Sequence, residues 1–372
     1  MQFIDLHTQF ERIENDVCDR VLAVLRSQKY IMGPEVGELE EKLAAFAGVK
    51  HAITCSSGTD ALVIPLMSYN LTKTDAVFVP SFTFFASAEA ITLAGGTPVF
   101  LDSDEETFNL SIPSLIEAIE KAKAEGLTPR GIVAVDLFGQ LADYDAIDKI
   151  AKENSLFVLE DAAQGFGASC NGKRAGSFGD VGATSFFPAK PLGGYGDGGA
   201  IFTNDDALAA AIKSIRVHGQ GTDKYDNVRI GVNGRFDTIQ AAVLLSKLEI
   251  FESEIEARNV VAAAYTEQLG DVLVTPHIGE GKISAWAQYT VIAKDEAQRI
   301  RIMDGLKESG IPTATYYPIP AHLSTAYKSL GYKLGSLPVC EGMAKRVFSL
   351  PMHPYLAMED IKTITTRIKE LA

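Results

Sequence analysis

Over its first two-thirds the chain alternates short apolar runs with longer helical ones, and this alternation limits its folds more than any other feature. The runs cover residues 51–55, 76–80, 98–101, 131–135 and 156–160. They are rich in Val, Ile and Phe and apolar almost throughout, which is the pattern of strands buried on both faces. Helical patterns such as residues 111–125 and 144–154 lie between them. Strand–helix–strand alternation of this kind implies a mainly parallel sheet covered by helices. After about Lys247 the pattern changes. An amphipathic stretch (248–269) leads into a strand-like run (285–293), a helix (296–309), an extended segment (313–318) and a closing helix (358–371). With 372 residues the chain exceeds one small domain. The expectation is an α/β protein with a large domain over residues 1–247 and a smaller C-terminal α/β domain over 248–372.

Charge and cysteine use exclude several classes. Forty-eight acidic against 34 basic residues give a net charge of −14, so no basic field recruits nucleic-acid phosphates. No apolar run approaches the roughly 18 residues of a membrane span. Residues 1–7 lack the charged-then-apolar design of a signal peptide. Cys18, Cys55, Cys170 and Cys340 are scattered without a CxxC pair, and the six histidines form no HExxH. A cytoplasmic, metal-free protein is expected.

Two motifs fail on context. Residues 167–173 match a phosphate-binding P-loop until Arg174 stands where a magnesium-binding Ser or Thr must sit. Residues 194–199 contain GxGxxG, but they run into a strand-like Ala200-Ile201-Phe202-Thr203 rather than a helix. A nicotinamide-dependent oxidoreductase needs that motif between a strand and a helix, where the pyrophosphate rests on the helix N-terminus.

Three other segments gain meaning together. Ser56-Ser57-Gly58-Thr59-Asp60 follows the first strand, where a helix start favours an anion; taken alone, simple N-capping by Ser57 or Thr59 is the plainer reading. Glu160-Asp161 ends a strand at the carboxyl edge where open α/β sheets hold ligands. A buried Asp161 needs a cation, from a distant side chain or a protonated ligand nitrogen; capping the next helix explains it equally well alone. Lys190, in Phe187-Pro188-Ala189-Lys190-Pro191-Leu192-Gly193-Gly194, sits on a constrained loop, where an amine that sheds its proton can form an imine with an aldehyde; an ordinary surface lysine is the alternative. Phosphate anchor, acid for a pyridine nitrogen and Schiff-base lysine are together the parts that pyridoxal phosphate requires.

The sequence resembles the DegT/DnrJ/EryC1/StrS nucleotide-sugar aminotransferases across essentially its whole length. The likeness rests on Gly33-Pro34-Glu35-Val36, Ser57-Gly58-Thr59-Asp60-Ala61-Leu62, Glu160-Asp161-Ala162-Ala163-Gln164 and Ser185-Phe186-Phe187-Pro188-Ala189-Lys190. Gly196-Asp197-Gly198-Gly199-Ala200 and Asn233-Gly234-Arg235-Phe236-Asp237 extend it. The resemblance implies the aspartate-aminotransferase fold and pyridoxal 5′-phosphate, which becomes pyridoxamine 5′-phosphate during turnover. It implies that Lys190 is the Schiff-base lysine and proton carrier, and that Asp161 holds the ring nitrogen protonated. Gln164 would bond the ring hydroxyl, Phe84 would stack on the ring, and Gly58, Thr59 and Ser185 would bind the phosphate. Asn233 would reach the phosphate of a neighbouring subunit, making a homodimer with shared sites.

Within the family the likeness is strongest to enzymes that use L-glutamate to aminate C3 of a UDP-linked 2-acetamido-2-deoxy-3-keto-glucuronic acid in surface-polysaccharide synthesis. Residues 229–235, Tyr317-Pro318-Ile319-Pro320 and residues 350–355 carry it. Arg229 would meet a carboxylate of the sugar or of the donor, with Tyr316, Tyr317 and His322 as further substrate contacts. Relatives often have His where Tyr316 stands. The alternatives are amination at C3 of a dTDP-linked 3-keto-6-deoxy sugar or at C4 of a UDP- or GDP-linked 4-keto sugar. A catalytically silent sensor would have lost Lys190 or Asp161, yet both are present.

Overall fold

The apolar runs line up in one sheet, and helices on both sides of it account for their composition. The computed structural model describes residues 1–223 and 225–372. Strands β1 (His51–Cys55), β2 (Asp75–Pro80), β3 (Thr97–Leu101), β4 (Thr128–Val135) and β5 (Phe157–Asp161) contain the expected runs, with small shifts at the ends. Strands β6 (Ser169–Cys170) and β7 (Lys173–Arg174) form a hairpin, and β8 (Val181–Ser185) and β9 (Gly199–Thr203) complete the sheet. Its order is β1-β9-β8-β5-β4-β2-β3. All neighbours from β8 to β3 are parallel, whereas β9 runs antiparallel to both β1 and β8. The reversal has a simple cause. Residues 186–198, which join β8 to β9, hold no helix, so the chain turns back instead of crossing over. The two motifs set aside by context also find their places. Residues 169–174 are the β6–β7 hairpin, and the GxGxxG feeds β9.

Helices α1 (Leu6–Ser27), α2 (Pro34–Ala47), α3 (Gly58–Ser68), α4 (Ala86–Leu93), α5 (Ile112–Ala124), α6 (Tyr144–Asn154) and α7 (Asp206–Arg216) come from the same part of the chain. Ser57, Ser111, Asp143 and Asp205 cap α3, α5, α6 and α7 by accepting first-turn amides. Alternate strand residues enter opposite cores. Phe78, Ile132, Val158 and Phe202 lie on one face, and Val77, Val133, Leu159 and Ile201 on the other.

Helix α8 (Thr238–Leu269) starts well before the expected residue 248. Its first half is buried almost all round, from Ala241 to Lys247, and so shows no amphipathic period. Ala241, Leu244 and Leu245 pack in the sheet core, while Val261, Tyr265 and Leu269 pack in a second core. That second core holds β11 (Tyr289–Ile292), which pairs with β12 (Val347–Leu350), and helices α9 (Glu296–Glu308) and α11 (Met358–Leu371). A short β10 (Lys282–Ile283) pairs instead with β6. Residues 313–318, expected as an extended segment, form one bridge among the described residues, Ala314–Ser349. The chain then returns to the sheet: Ala321, Tyr327 and, on α10 (Pro338–Arg346), Cys340 and Met343 share a core with β2 and β3. No helix among the described residues is long and apolar enough to cross a membrane.

Backbone packs on backbone where β9 passes the turn after β1. A Cβ on Gly199 would lie 2.5 Å from the Ser57 carbonyl oxygen and 2.8 Å from that of Thr184. Gly199→Ala should therefore cost about 1–3 kcal/mol, read as a lower urea midpoint. Gly37, inside α2 with nothing within 4 Å of its Cβ position, is the control. Gly37→Ala should stabilise by about 0.5–1 kcal/mol.

Candidate active site

Strand β5 ends in two carboxylates on opposite faces. Glu160 is fully buried and accepts from the amides of Gly176 (2.8 Å) and Phe178 (2.9 Å), which ties β5 to the segment after the β6–β7 hairpin. Burial, then the facing Asp136, pushes its carboxyl well above the usual range, and burial lifts Asp136 to about 7. This pair is structural.

Asp161 faces the other way and is 4% exposed. Ser87 Oγ donates to its Oδ2 (2.7 Å) and the Ala163 amide to its Oδ1 (3.2 Å). Burial raises its pKa, opposed by these two bonds and by the charge of Lys190. Burial in turn lowers Lys190, opposed by Asp161. The two groups sense each other, yet no salt bridge joins them among the described residues. An acid and an amine whose charged forms are both disfavoured by burial thus border one space with no ion pair between them among the described residues.

The turn after β1 completes that space. Ser57 caps α3 through the Asp60 amide (3.0 Å), and the amides of Gly58 and Thr59 have no partner among the described residues. Gly58 lies so close to Ser185 that an added Cβ would come within 2.5 Å of the serine Cβ. Two first-turn amides at a helix N-terminus beside a hydroxyl make an anion cradle.

Gln164, 4% exposed, is held as an oriented amide. Its Oε1 accepts from the Phe138 amide (2.7 Å) and its Nε2 donates to Tyr317 Oη (2.9 Å). Burial pushes the Tyr317 phenol upward. Phe84 is 56% exposed, with its ring 6.1 Å from that of Tyr317, and Tyr316 packs edge-on to Tyr317 at 5.8 Å.

Three expected residues are arranged differently. Arg229 and Asn233 lie on an exposed loop closed by the bridges Val217–Asn233 and Gln220–Asn227. Neither has a hydrogen bond to the residues of the pocket among the described residues. His322 does not fit the expected role of substrate contact, because it is 1% exposed and both ring nitrogens are engaged, by Ser81 and Glu341. Ser87, which braces Asp161, has no local signal in the sequence, since its partner lies 74 residues away.

The family model of the DegT/DnrJ/EryC1/StrS aminotransferases matches residues 11–369. The chain belongs to that family. It is 48% identical, over 98% of both chains, to UDP-2-acetamido-2-deoxy-3-oxo-D-glucuronate aminotransferase of Pseudomonas aeruginosa. A DegT/DnrJ/EryC1/StrS aminotransferase from Brucella abortus superimposes with a TM-score of 0.96 at 49% identity, covering 100% of this chain and 99% of that one. DesV of S. venezuelae, solved in complex with a ketimine intermediate, superimposes with a TM-score of 0.94 at 34% identity, covering 99% and 97%. The protein is an aminotransferase of the pyridoxal phosphate type.

The residues present fit that cofactor. The Gly58–Thr59 amides suit its phosphate, the unneutralised Asp161 suits a protonated ring nitrogen, and the deprotonation-prone Lys190 suits its aldehyde. One stability consequence follows. Asp161 is raised by burial, so with the cofactor removed its charge opposes folding above its own pKa and not below the unfolded carboxylate range. Apo Asp161→Asn should melt at or above apo wild type at neutral pH, while binding pyridoxal phosphate at least about ten-fold more weakly. Calorimetry and a cofactor titration read both; tighter binding by the variant would contradict the role.

Proposed function

We propose that the enzyme transfers the amino group of L-glutamate to the C3 keto group of a UDP-linked 2-acetamido-2-deoxy-3-keto-glucuronic acid, giving the 3-amino sugar and 2-oxoglutarate, for surface-polysaccharide synthesis. The observation that carries the chemistry is buried Asp161 and half-buried Lys190, which feel each other's charge and are not joined by an ion pair among the described residues. The choice of sugar is supported by the near-full-length likeness to the P. aeruginosa enzyme.

Pyridoxal phosphate supplies an aldehyde that takes up the amino group and a ring that holds the electron pair released at the reacting carbon. The chain supplies the rest. Asp161 keeps the ring nitrogen protonated through a charge-assisted bond. Gln164, oriented by Phe138 and Tyr317, binds the ring hydroxyl, and Phe84 covers a face of the ring. Lys190 Nζ would bind the cofactor's aldehyde and would carry a proton between the donor carbon and the cofactor. Gly58, Thr59 and Ser185 anchor the phosphate.

Arg229 and Asn233 serve the site of a second copy in a homodimer with shared sites. Their loop supports this reading. Val228 and Ile230, on either side of Arg229, are 54% and 83% exposed, which is costly for apolar side chains in water and natural beneath a partner. Arg229 then offers a bidentate partner to a carboxylate, and Tyr316 and Tyr317 line the sugar side. A cytoplasmic setting agrees with four free cysteines.

The purified protein should show a visible band from lysine-bound cofactor that L-glutamate converts to the pyridoxamine form. That form should be reoxidised by the UDP-3-keto-uronate in preference to dTDP-linked 3-keto-6-deoxy or UDP-linked 4-keto sugars. Reoxidation only by a sugar without the carboxylate would reassign the substrate. Lys190→Ala should lose the band and all turnover. Arg229→Ala should weaken use of the uronate by about 2–5 kcal/mol while sparing a sugar without the carboxylate; equal losses on both would place Arg229 elsewhere.

A further inference from the structure

Two segments far apart in sequence carry pocket residues and meet at one buried point. Residues 81–87 bear Phe84 and also Ser87, which braces Asp161 and bonds Thr83 Oγ1 at 2.9 Å. Residues 316–322 bear Tyr317, which receives the Gln164 amide. Between them the Ala321 amide donates to the Ser81 carbonyl (2.8 Å), the His322 amide donates to Ser81 Oγ (3.1 Å), and Ser81 Oγ lies 2.6 Å from His322 Nδ1. Glu341 Oε1, 3.1 Å from His322 Nε2, is a carboxylate oxygen and can only accept, so the neutral ring donates from Nε2 and Nδ1 accepts the Ser81 hydrogen. Glu341 in turn accepts from the amides of Leu337 (3.1 Å) and Gly335 (2.7 Å). Asp102, just past β3, accepts from Val339 and Cys340 at the start of α10.

We infer that His322 is a positioning residue: through Ser81 and Glu341 it locks the 81–87 loop to the 316–322 segment, so that Asp161, Phe84 and Gln164 meet the cofactor in one fixed arrangement. The inference rests on the pyridoxal phosphate site described above. Serine, histidine and glutamate in this order also describe a nucleophile relay, but Ser81 is fully buried and its oxygen accepts the His322 amide. It has neither access to a substrate nor a spare orientation for attack.

The lock has a pH signature. His322 is faced by Ser81 from the end of β2, by Glu341 from α10, by Asp102 from the end of β3, and by the rings of Phe100 and Tyr332, with Cys340 of α10 beside Ser81. Burial holds its pKa below the ordinary histidine value, with Glu341 opposing. Protonation would put a second hydrogen between Nδ1 and Ser81, leaving the serine hydrogen without its acceptor. The lock is thus whole above the ordinary histidine value and lost as pH falls through the lowered one.

The test titrates pyridoxal phosphate into apo wild type, His322→Phe, His322→Gln and Ser81→Ala, at roughly pH 8 and roughly pH 5.5, and records apo melting temperatures. His322→Phe and Ser81→Ala should weaken the cofactor on the order of ten-fold or more, as expected for groups that orient ligands from behind. His322→Gln can accept from Ser81 and donate to Glu341 without titrating. It should bind nearly as well as wild type at the higher pH and lose less affinity than wild type at the lower one. Variants that melt lower yet bind the cofactor as wild type does at both pH values would overturn the inference, since His322 would then serve the fold alone. If His322→Phe does not fold, Ser81→Ala decides by the same criterion. Wild type that forms no lysine-bound cofactor band at either pH would instead overturn the cofactor assignment, and the positioning role with it.

Discussion

The carboxylate of Asp161 is kept from water without being neutralised, and the rest of the site is arranged around that fact. A parallel strand buried on both faces delivers it to the carboxyl edge of the sheet. Two hydrogen bonds hold its oxygens in place, but they do not cancel the cost of burial, and its pKa stays raised. Lys190 could have cancelled it and does not, because the proline- and glycine-bounded loop keeps the amine in a similarly poor environment for charge. An acid and an amine whose charged forms are both disfavoured by burial, set around a common space, make a strong binding site for a molecule with a basic ring nitrogen and an aldehyde.

Much of this was legible in the sequence, for physical reasons. Strands β1 to β5 announce themselves because burial on both faces admits little but Val, Ile, Phe and Ala. Lys190, Asp161 and Gly58 are legible because each breaks its local pattern: a lone cation among prolines and glycines, an acid ending an apolar strand, a glycine among small hydroxyl residues where a strand gives way to a helix. What stayed hidden depends on long-range pairing. The reversed direction of β9, the bracing of Asp161 by Ser87 and the burial of His322 between Ser81 and Glu341 are set by partners 14 to 241 residues distant. The first half of α8 escaped notice because a helix buried all round has no polar face to mark its period.

The same long-range packing explains why a motif resemblance misplaced His322. The histidine follows the Tyr317-Pro318-Ile319-Pro320 run closely enough to be taken for another substrate contact, but the chain turns inward at Pro320, and Ala321 and His322 join the core against β2. The side chain that reaches the pocket is Tyr317, and His322 acts from behind it. Arg229 and Asn233 show the converse case, in which side chains suited to anions stand exposed on a loop flanked by apolar residues, as groups that complete a neighbour's site would.

The most direct test of the account is the protonation state of the cofactor ring nitrogen, observed by nitrogen-15 NMR of the wild type and of Asp161→Asn reconstituted with labelled pyridoxal phosphate. The account predicts a protonated ring nitrogen at neutral pH in the wild type and an unprotonated one in the variant. An unprotonated nitrogen in the wild type, or no difference between the two proteins, would contradict it.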